Sequence, residues 1–421
     1  MSTLRISAAQ LDSVARLQDE AAVLPILRRA RLSRNLAFLA AIVQSGGAEG
    51  ERNPAFRKLI EVQRHDRAVA RRLIGHPRFG AWAAACADAP GKGAPSTAHL
   101  AAFAAAAAIR AGVPADLEVP TVDGVLVLPT LGALGGTRAP VVRVRTRRGA
   151  NPFAGTPGWR RLRTLEGPGF SFEFDEHPLI TAGSATDFPP PAQVGAAEFT
   201  RWRLTFVRAM TLLAELVPGL AGGLCEGMVT ILPIRAVGSG THAATVADAF
   251  GAASMTLPPD ETEAAQTLVH EFQHSKLSAL SELVPLIADD ASDLYSPWRE
   301  DPRPASAVLH GAFAHLAVAR VWTRLALRQG ARSSAAQWAE AESARERTRA
   351  ACRVLAESGR LTEAGGRFVD LLDRTARDWS RAPTVSMRVA AARLDEHRAD
   401  WVRRHQRDPA TACPGARPPR V

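Results

Sequence analysis

The segment "QTLVHEFQHSKLSALSELVPL", from Gln266 to Leu286, contains the most informative motif of the chain. It contains the pattern H-E-x-x-H, formed by His270, Glu271 and His274. On a helix, residues four positions apart share one face, so the two imidazoles can bind one metal ion. Zinc with Glu271 as general base would indicate a peptidase, and redox-active iron would indicate other chemistry. The remaining alternative is two histidines on a surface helix beside a glutamate.

The sequence around the motif favours a metal-binding helix. This helix is predicted to begin in "PPDETEAAQ", because proline and acidic residues suit a helix N-terminus, and to end near Pro285. A strand-like segment, "GAASMTL", precedes it. A strand edge followed by a metal helix is the zincin arrangement, so we expect a zincin-like metal helix.

A metal site of this kind needs a third ligand. The metzincin continuation is absent, because Leu277 and Leu280 stand where that motif has glycine and histidine. Glu282 lies on the same helix as the two histidines and is poorly placed to close the site. The third ligand is therefore sought further downstream.

His310 is the preferred third ligand. It lies on the next predicted helix, which can return antiparallel, and its neighbour Gly311 allows close backbone approach. Glu300 and Asp301, in the intervening loop, are further candidates. His315 lies about 140° further round the helix than His310, so the two are not expected to bind the same ion.

Composition places the chain among ordinary globular proteins. It has 421 residues, 46% of them apolar and 22% charged, which predicts two or three domains or lobes. The N-terminus lacks a signal-peptide pattern, so a cytoplasmic location is expected. The Ala-rich run before residue 115 is interrupted by Pro, Gly and Lys and predicts packed helices, with no membrane span.

Cysteine spacing and charge exclude two further classes of protein. Cys86, Cys225, Cys352 and Cys413 have no C-x-x-C spacing, which argues against disulfide scaffolds and cysteine zinc sites. The net charge is +10 and arginine-rich, as in "RVRTRRG", but no nucleic-acid-binding motif accompanies it. A solvated basic face is the preferred interpretation, and nucleic acid is not an expected partner.

The spacing of apolar residues and of Gly and Pro along the chain predicts an α+β fold that is predominantly helical, with a small antiparallel β-rich middle region. Residues 1–115 form an N-terminal helical region, and 116–195 contain short β-rich segments followed by a Pro-rich connector. The metal-binding H-E-x-x-H domain is predicted at 196–407. The tail 408–421 is predicted to be disordered.

Several segments resemble a known bacterial family. These segments are "LVHEFQHSKLSALSEL", "LYSPWREDPRPASAVLHGAFAHLAVARVW" and "AARLDEHRADWVRRH". They resemble the HExxH-motif peptide-modification proteins encoded beside genes for ribosomal-peptide biosynthesis, and the resemblance covers about residues 240–410. It implies an Fe(II)- and 2-oxoglutarate-dependent β-hydroxylase of peptide side chains. Its partners would be a ribosomal precursor peptide and other maturation enzymes.

The residues are compatible with that implication. His270, His274 and His310 would leave iron positions for 2-oxoglutarate and O₂, and no H-x-D motif offers another triad. The distal carboxylate of 2-oxoglutarate needs a cation, for which Arg303 is preferred and Arg299 is second. A pairing of each arginine with a neighbouring Asp or Glu is the alternative.

Other residues near these keep two interpretations each. The hydroxyl of Tyr295 binds the cofactor or substrate, or the side chain anchors the loop. Trp298 lines the pocket or packs the loop. His242 lines the site from the strand side, or it is simply a loop histidine. Glu271 is the general base of a peptidase, or in an oxygenase it orients a ligand or water.

These observations leave three functions to weigh. The first is the 2-oxoglutarate-dependent peptide hydroxylase, and the second is a zinc metallopeptidase that removes a leader peptide with Glu271 as base. The third is a non-catalytic binding module of a maturation complex. In each case the β-rich middle region could bind a peptide by strand addition to an exposed edge.

Overall fold

The computed structural model describes residues 4–18, 20–88, 96–147, 150–177, 193–236, 240–330, 334–379 and 382–405. The predicted disordered tail and most of the Pro-rich connector lie outside these residues. The chain divides into two compact units, of which the first ends at Val284 and the second begins at Pro285. This division falls inside the segment 196–407, which the sequence suggested as one domain.

Helices dominate the N-terminal part of the first unit. They are α1 (Ala8–Ala15), α2 (Glu20–Ser45), α3 (Gly47–Arg52), α4 (Pro54–His65), α5 (Arg67–Ile74), α6 (Pro77–Asp88) and α7 (Leu100–Ala111). Helix α7, "LAAFAAAAAIRA", is buried from Leu100 to Ile109 because small alanines let its neighbours approach from all sides. The rings of Phe79, Trp82 and Phe103 pack against one another with centroids 5.0–5.4 Å apart.

Short strands follow. They are β1 (Ala115–Pro120), β2 (Leu126–Leu128), β3 (Gly132–Leu134), β4 (Val141–Thr146), β5 (Trp159–Arg161), β6 (Arg163–Gly167), β7 (Phe170–Phe174), β8 (Thr230–Pro233), β9 (Ala243–Ala244) and β10 (Ala252–Met255). Strands β1 and β4 form an antiparallel pair, and β2, β3 and β5 form an antiparallel sheet. A five-stranded sheet has the order β6-β7-β8-β10-β9.

The predicted antiparallel region is therefore divided among several sheets. The largest sheet is mixed, since β7, β8 and β10 run parallel while β6 and β9 run antiparallel at its edges. Helices α8 (Ala196–Leu216), α9 (Pro218–Gly227) and α10 (Glu261–Ser281) complete the first unit. Helices make up 61% of the structure, so the prediction of a predominantly helical α+β protein is confirmed.

Helices predominate in the described part of the second unit, where two short strands also pair antiparallel. Its elements are β11 (Ser292–Leu294), β12 (Arg303–Pro304), α11 (Ala305–Gln329), α12 (Ala335–Glu357), α13 (Glu363–Asp378) and α14 (Thr384–His405). Helix α12 packs against α11, α13 and α14. The rings of Phe313 and Phe368 meet in the core of this unit, with centroids 5.6 Å apart.

The basic run on β4 has a local explanation. Arg143 and Arg145 both pair with Asp116 on the neighbouring strand β1, with N–O distances of 2.6 Å and 3.0 Å. These two arginines thus belong to an exposed ion-pair network on the sheet. Among the helices that the structure describes, none combines the length and apolar character needed to cross a membrane.

Candidate metal centre

The H-E-x-x-H motif lies in the middle of α10, as the sequence predicts. The helix begins where the side chain of Asp260 accepts a hydrogen bond from the backbone N–H of Glu263, 2.9 Å away. Glu261 and Glu263 lie in the first turn, where the helix dipole favours negative charge. The strand that precedes the helix, β10, is fully buried. These features fix where α10 begins and what precedes it.

One face of α10 seats the helix in the core. Phe272 is buried against Gly227, the last residue of α9. The hydroxyl of Ser275 accepts a hydrogen bond of 2.9 Å from the backbone N–H of Gly251. His270 and His274 lie on a less completely buried face of the same helix.

The two histidines of the motif converge. Their Nε2 atoms are 3.0 Å apart and their rings meet edge to face, with centroids 4.6 Å apart. Burial lowers the pKa of His270 to about 4, so this imidazole is neutral at pH 7 and can offer a lone pair to a metal. Without a metal, the same Nε2–Nε2 separation is that of a hydrogen bond in which one ring donates.

Glu271 is held away from bulk solvent by the edge of the sheet. Its side chain is 5% exposed, and Oε2 accepts a hydrogen bond of 2.6 Å from the hydroxyl of Thr245. Burial raises the pKa of Glu271 to about 7, although the hydrogen bond from Thr245 acts in the opposite direction. Thr245 directly follows β9, so this contact joins the edge strand to α10.

His242 lies at the other end of the same edge strand. Its backbone N–H donates to the Thr256 hydroxyl at 3.1 Å, and its backbone carbonyl accepts from the Thr256 N–H at 2.9 Å. These bonds extend the pairing of β9 with β10. The sequence prediction included His242 but not Thr245, which carries the contact with Glu271.

The second unit contains the other predicted site residues. His310 lies in the second turn of α11, and burial lowers its pKa to about 4 while the nearby Asp290 carboxylate opposes that shift. Asp290 also binds the start of α11, because its Oδ1 and Oδ2 accept from the N–H and hydroxyl of Ser306 at 2.7 Å each.

Gly311 permits a close approach, as the sequence predicts, but the group that approaches is the indole ring of Trp298. A Cβ at this position would lie 2.8–2.9 Å from the indole of Trp298. The same indole stacks on His315, with ring centroids 4.3 Å apart, and Nδ1 of His315 lies 3.0 Å from the Gly311 carbonyl oxygen. Trp298 and His315 therefore pack the loop onto α11.

Arg299 and Arg303 both contact Asp301. The distances are 3.0 Å from Arg299 Nε to Oδ1 and 3.1 Å from Arg303 Nη1 to Oδ2. The side chains of Arg299 and Arg303 are 59% and 37% exposed. This is the carboxylate pairing that the sequence left open as the alternative to cofactor binding.

Tyr295 anchors its loop to the last helix. Its side chain is buried, its hydroxyl lies 2.9 Å from Nδ1 of His397, and its ring packs edge-on against Trp401. Both partners lie on α14. This contact corresponds to the anchoring interpretation of Tyr295.

The structure thus brings together His270 and His274, with Glu271 beside them. Across the described residues, no three or more His, Cys, Asp and Glu side chains gather into a group able to hold a metal ion. His310 belongs to the second unit, and its role as third ligand stays a prediction. In comparisons with known proteins, no family model and no curated protein matches this chain.

Proposed function

We propose that this chain is an Fe(II)- and 2-oxoglutarate-dependent hydroxylase that modifies the β-carbon of a side chain in a ribosomally synthesised peptide. The observation that carries the metal centre is the 3.0 Å convergence of the Nε2 atoms of His270 and His274. The family resemblance of residues 240–410 supports the reaction and the peptide substrate. His310 is the proposed third ligand.

The separation of the two imidazoles allows both rings to bind one metal ion, since their Nε2 atoms lie 3.0 Å apart on one helix face. Imidazole is a ligand for iron as well as for zinc, so the family resemblance carries the choice of iron. With His310 as the third ligand, the remaining positions on the iron would be left to 2-oxoglutarate and O₂.

Iron and 2-oxoglutarate would supply the oxidising chemistry: a substrate C–H and O₂ become C–OH as 2-oxoglutarate becomes succinate and CO₂. The residues of the chain would hold and orient these groups. Glu271, fixed by the Thr245 hydroxyl, would position the metal helix and its imidazoles against the edge strand. Arg303 would bind the distal carboxylate by exchanging its present partner Asp301 for it.

Anaerobic reconstitution tests this function. Adding Fe(II) and then 2-oxoglutarate should give a visible metal-to-ligand charge-transfer band. His270→Ala should abolish the band and Arg303→Ala should weaken it. His65→Ala is the matched control, because His65 is exposed at the end of α4, and it should leave the band unchanged. A band of full intensity in His270→Ala would refute the proposed centre.

A zinc metallopeptidase is the second candidate, and two observations favour it. A pKa of Glu271 of about 7 suits a general base at neutral pH. The antiparallel edge strand β9 beside α10 resembles a zincin edge, to which an extended peptide could add. Zinc retained after purification, together with cleavage of a precursor that falls by about 10²–10⁴-fold in Glu271→Gln, would favour this function over the hydroxylase.

A further inference from the structure

The first unit contains a cavity of about 570 Å³ that is separate from the H-E-x-x-H imidazoles, neither of which lines it. Its walls come from α2, α5, the end of α7 and strands β5 to β7. The lining arginines are Arg28, Arg31, Arg71, Arg72, Arg110 and Arg161. We call this feature the arginine cavity.

The positive charge of the arginine cavity is poorly balanced by its own walls. Among the described residues that line it, Glu173 is the one carboxylate. Oε2 of Glu173 lies 2.8 Å from Nε2 of His76, and Oε1 lies 3.8 Å from Nη2 of Arg72. Outside the lining, Glu282 lies beside Arg31, so two carboxylates face six guanidinium groups. The excess positive charge should attract anions.

Arg31 points to a missing partner. Its side chain is 3% exposed, and Nη1 lies 2.9 Å from Oε1 of Glu282. None of its three guanidinium nitrogens has a hydrogen-bond acceptor of suitable geometry within the described part of the chain. A buried guanidinium normally has its N–H groups satisfied, and an anion in the cavity would satisfy them.

Arg110 is a second cavity arginine whose guanidinium group is fixed by hydrogen bonds. Its Nε and Nη2 donate to the hydroxyl and the backbone carbonyl of Thr130, which also lines the cavity. Burial lowers the pKa of Arg110, the nearby charges of Arg72 and Arg161 lower it further, and the Glu173 carboxylate acts in the opposite direction. Thr130 has a φ of 67°, a strained value for a β-branched residue. The fold therefore holds like charges close together, and an anion would relieve their repulsion.

Part of the cavity wall is apolar. Leu32, Leu131, Met228 and Phe250 line it beside the arginines. The volume lies within the range of about 300–1,000 Å³ that is typical of small-molecule sites. A compact ligand with one strongly anionic part and one apolar part would match both kinds of wall.

We infer that the arginine cavity binds a compact polyanion that carries two or more phosphate groups, as a nucleotide or an inorganic polyphosphate does. Planar guanidinium groups bind phosphate oxygens in a bidentate manner, and several arginines around one concave site suit adjacent phosphates. An extended acidic peptide is less well matched, because it needs an open groove or a free strand edge. This inference does not depend on the proposed hydroxylase activity.

Calorimetric titration of the full chain without divalent metal tests the inference. The probes are inorganic tripolyphosphate, ATP and hexaglutamate. Tripolyphosphate and ATP should bind saturably with one site, and ATP should bind more tightly if its base reaches the apolar wall. Arg71→Ala/Arg72→Ala should weaken both by about tenfold or more per arginine, because charge-assisted hydrogen bonds are lost.

Two comparisons separate a built site from general attraction to a basic protein. Arg64→Ala/Arg67→Ala removes the same charge from exposed positions outside the cavity and should leave the affinity within about twofold. Glu173→Gln keeps a hydrogen-bonding group beside His76 but removes the opposing charge, so phosphate should bind about threefold to tenfold more tightly. Circular dichroism verifies that each variant is folded.

Three results would overturn the inference. The first is no saturable binding of either phosphate probe. The second is an equal loss of affinity in Arg64→Ala/Arg67→Ala and Arg71→Ala/Arg72→Ala, which would mean unspecific charge attraction. The third is tighter binding of hexaglutamate than of tripolyphosphate, which would make the cavity a peptide site.

Discussion

Replacing Gly227 by alanine should displace helix α10, because Gly227 packs against Phe272 on the buried face of that helix. A Cβ at this position would lie 1.9 Å from Cζ and 2.5 Å from Cε2 of the Phe272 ring. Carbon atoms in contact are about 3.5–4.0 Å apart, so the ring must move by more than an ångström or the helices must separate. Phe272 is fully buried and lies between Glu271 and Gln273, so it has no free space to enter. Overpacking of this kind costs about 1–3 kcal/mol.

Gly222→Ala is the matched control, because it lies on the same helix α9 and an added Cβ there has no heavy atom within 4 Å. In a helix, alanine is favoured over glycine by about 1 kcal/mol, so Gly222→Ala should stabilise the protein. Subtracting the free energy of unfolding of Gly227→Ala from that of Gly222→Ala removes most of this propensity effect. The remaining difference should equal the cost of the clash with Phe272, about 1–3 kcal/mol.

The assay is urea unfolding followed by circular dichroism. Gly227→Ala should have a lower free energy of unfolding than Gly222→Ala, and Phe272→Leu added to Gly227→Ala should recover part of the loss. If the proposed iron centre is correct, Gly227→Ala should also bind Fe(II) more weakly, because a shifted Phe272 moves the turn that carries His270. Equal stability of the two alanine variants would refute the packing argument.

Asp175→Asn should lower the free energy of unfolding at pH 7 by about 3 kcal/mol, because it leaves the buried Arg78 without its carboxylate partner. Burial alone would raise the pKa of Asp175, but Arg78 and His177 hold it well below its usual value. The carboxylate therefore stabilises the fold above about pH 4 and loses this effect as the pH falls towards the depressed pKa. Urea unfolding should show a gap between the two proteins that is smaller at pH 3 than at pH 7; a constant gap would contradict the assignment. Tyr295→Phe should lower the stability by about 1 kcal/mol through loss of the hydrogen bond to His397, without changing 2-oxoglutarate affinity. A clear loss of 2-oxoglutarate affinity in calorimetry would instead favour the interpretation that the Tyr295 hydroxyl binds the cofactor.

Local sequence signals predicted the position and length of helix α10 well. The acidic start, the apolar spacing and Pro285 are all within one helix length, so neighbouring residues alone decide the helix and its ends. Helix α10 runs from Glu261 to Ser281, and the convergence of His270 and His274 follows directly from their spacing of four.

Strand partners were less predictable. The antiparallel β6–β7 hairpin has a short turn, and its alternating residues indicate it. The parallel pairing of β7 with β8 joins residues that are more than fifty positions apart, such as Phe174 and Ile231. Short strands carry little information about a distant partner, because pairing depends on the packing of the whole sheet.

The same limit applies to the candidate sites. Thr245 and Glu271 are 26 residues apart, and nothing in "GSGTHAAT" distinguishes the threonine that contacts the metal helix. The arginine cavity is lined by residues from Arg28 to Phe250, and in the sequence its arginines are scattered among many others. In contrast, the pairing of Arg299 and Arg303 with Asp301 involves near neighbours, and the sequence offered it as an alternative.

Tyr295 is the one tyrosine in the sequence. A fluorotyrosine introduced biosynthetically would therefore give one ¹⁹F resonance with no need for mutagenesis. The ring lies 5.4 Å from that of Trp401 at an interplanar angle of 72°, so the indole ring current should shift this resonance. A change in that shift on adding iron, 2-oxoglutarate or a peptide would report how firmly the loop is docked on α14. Fluorination of this one tyrosine thus places a spectroscopic probe in the same loop as Arg299 and Arg303.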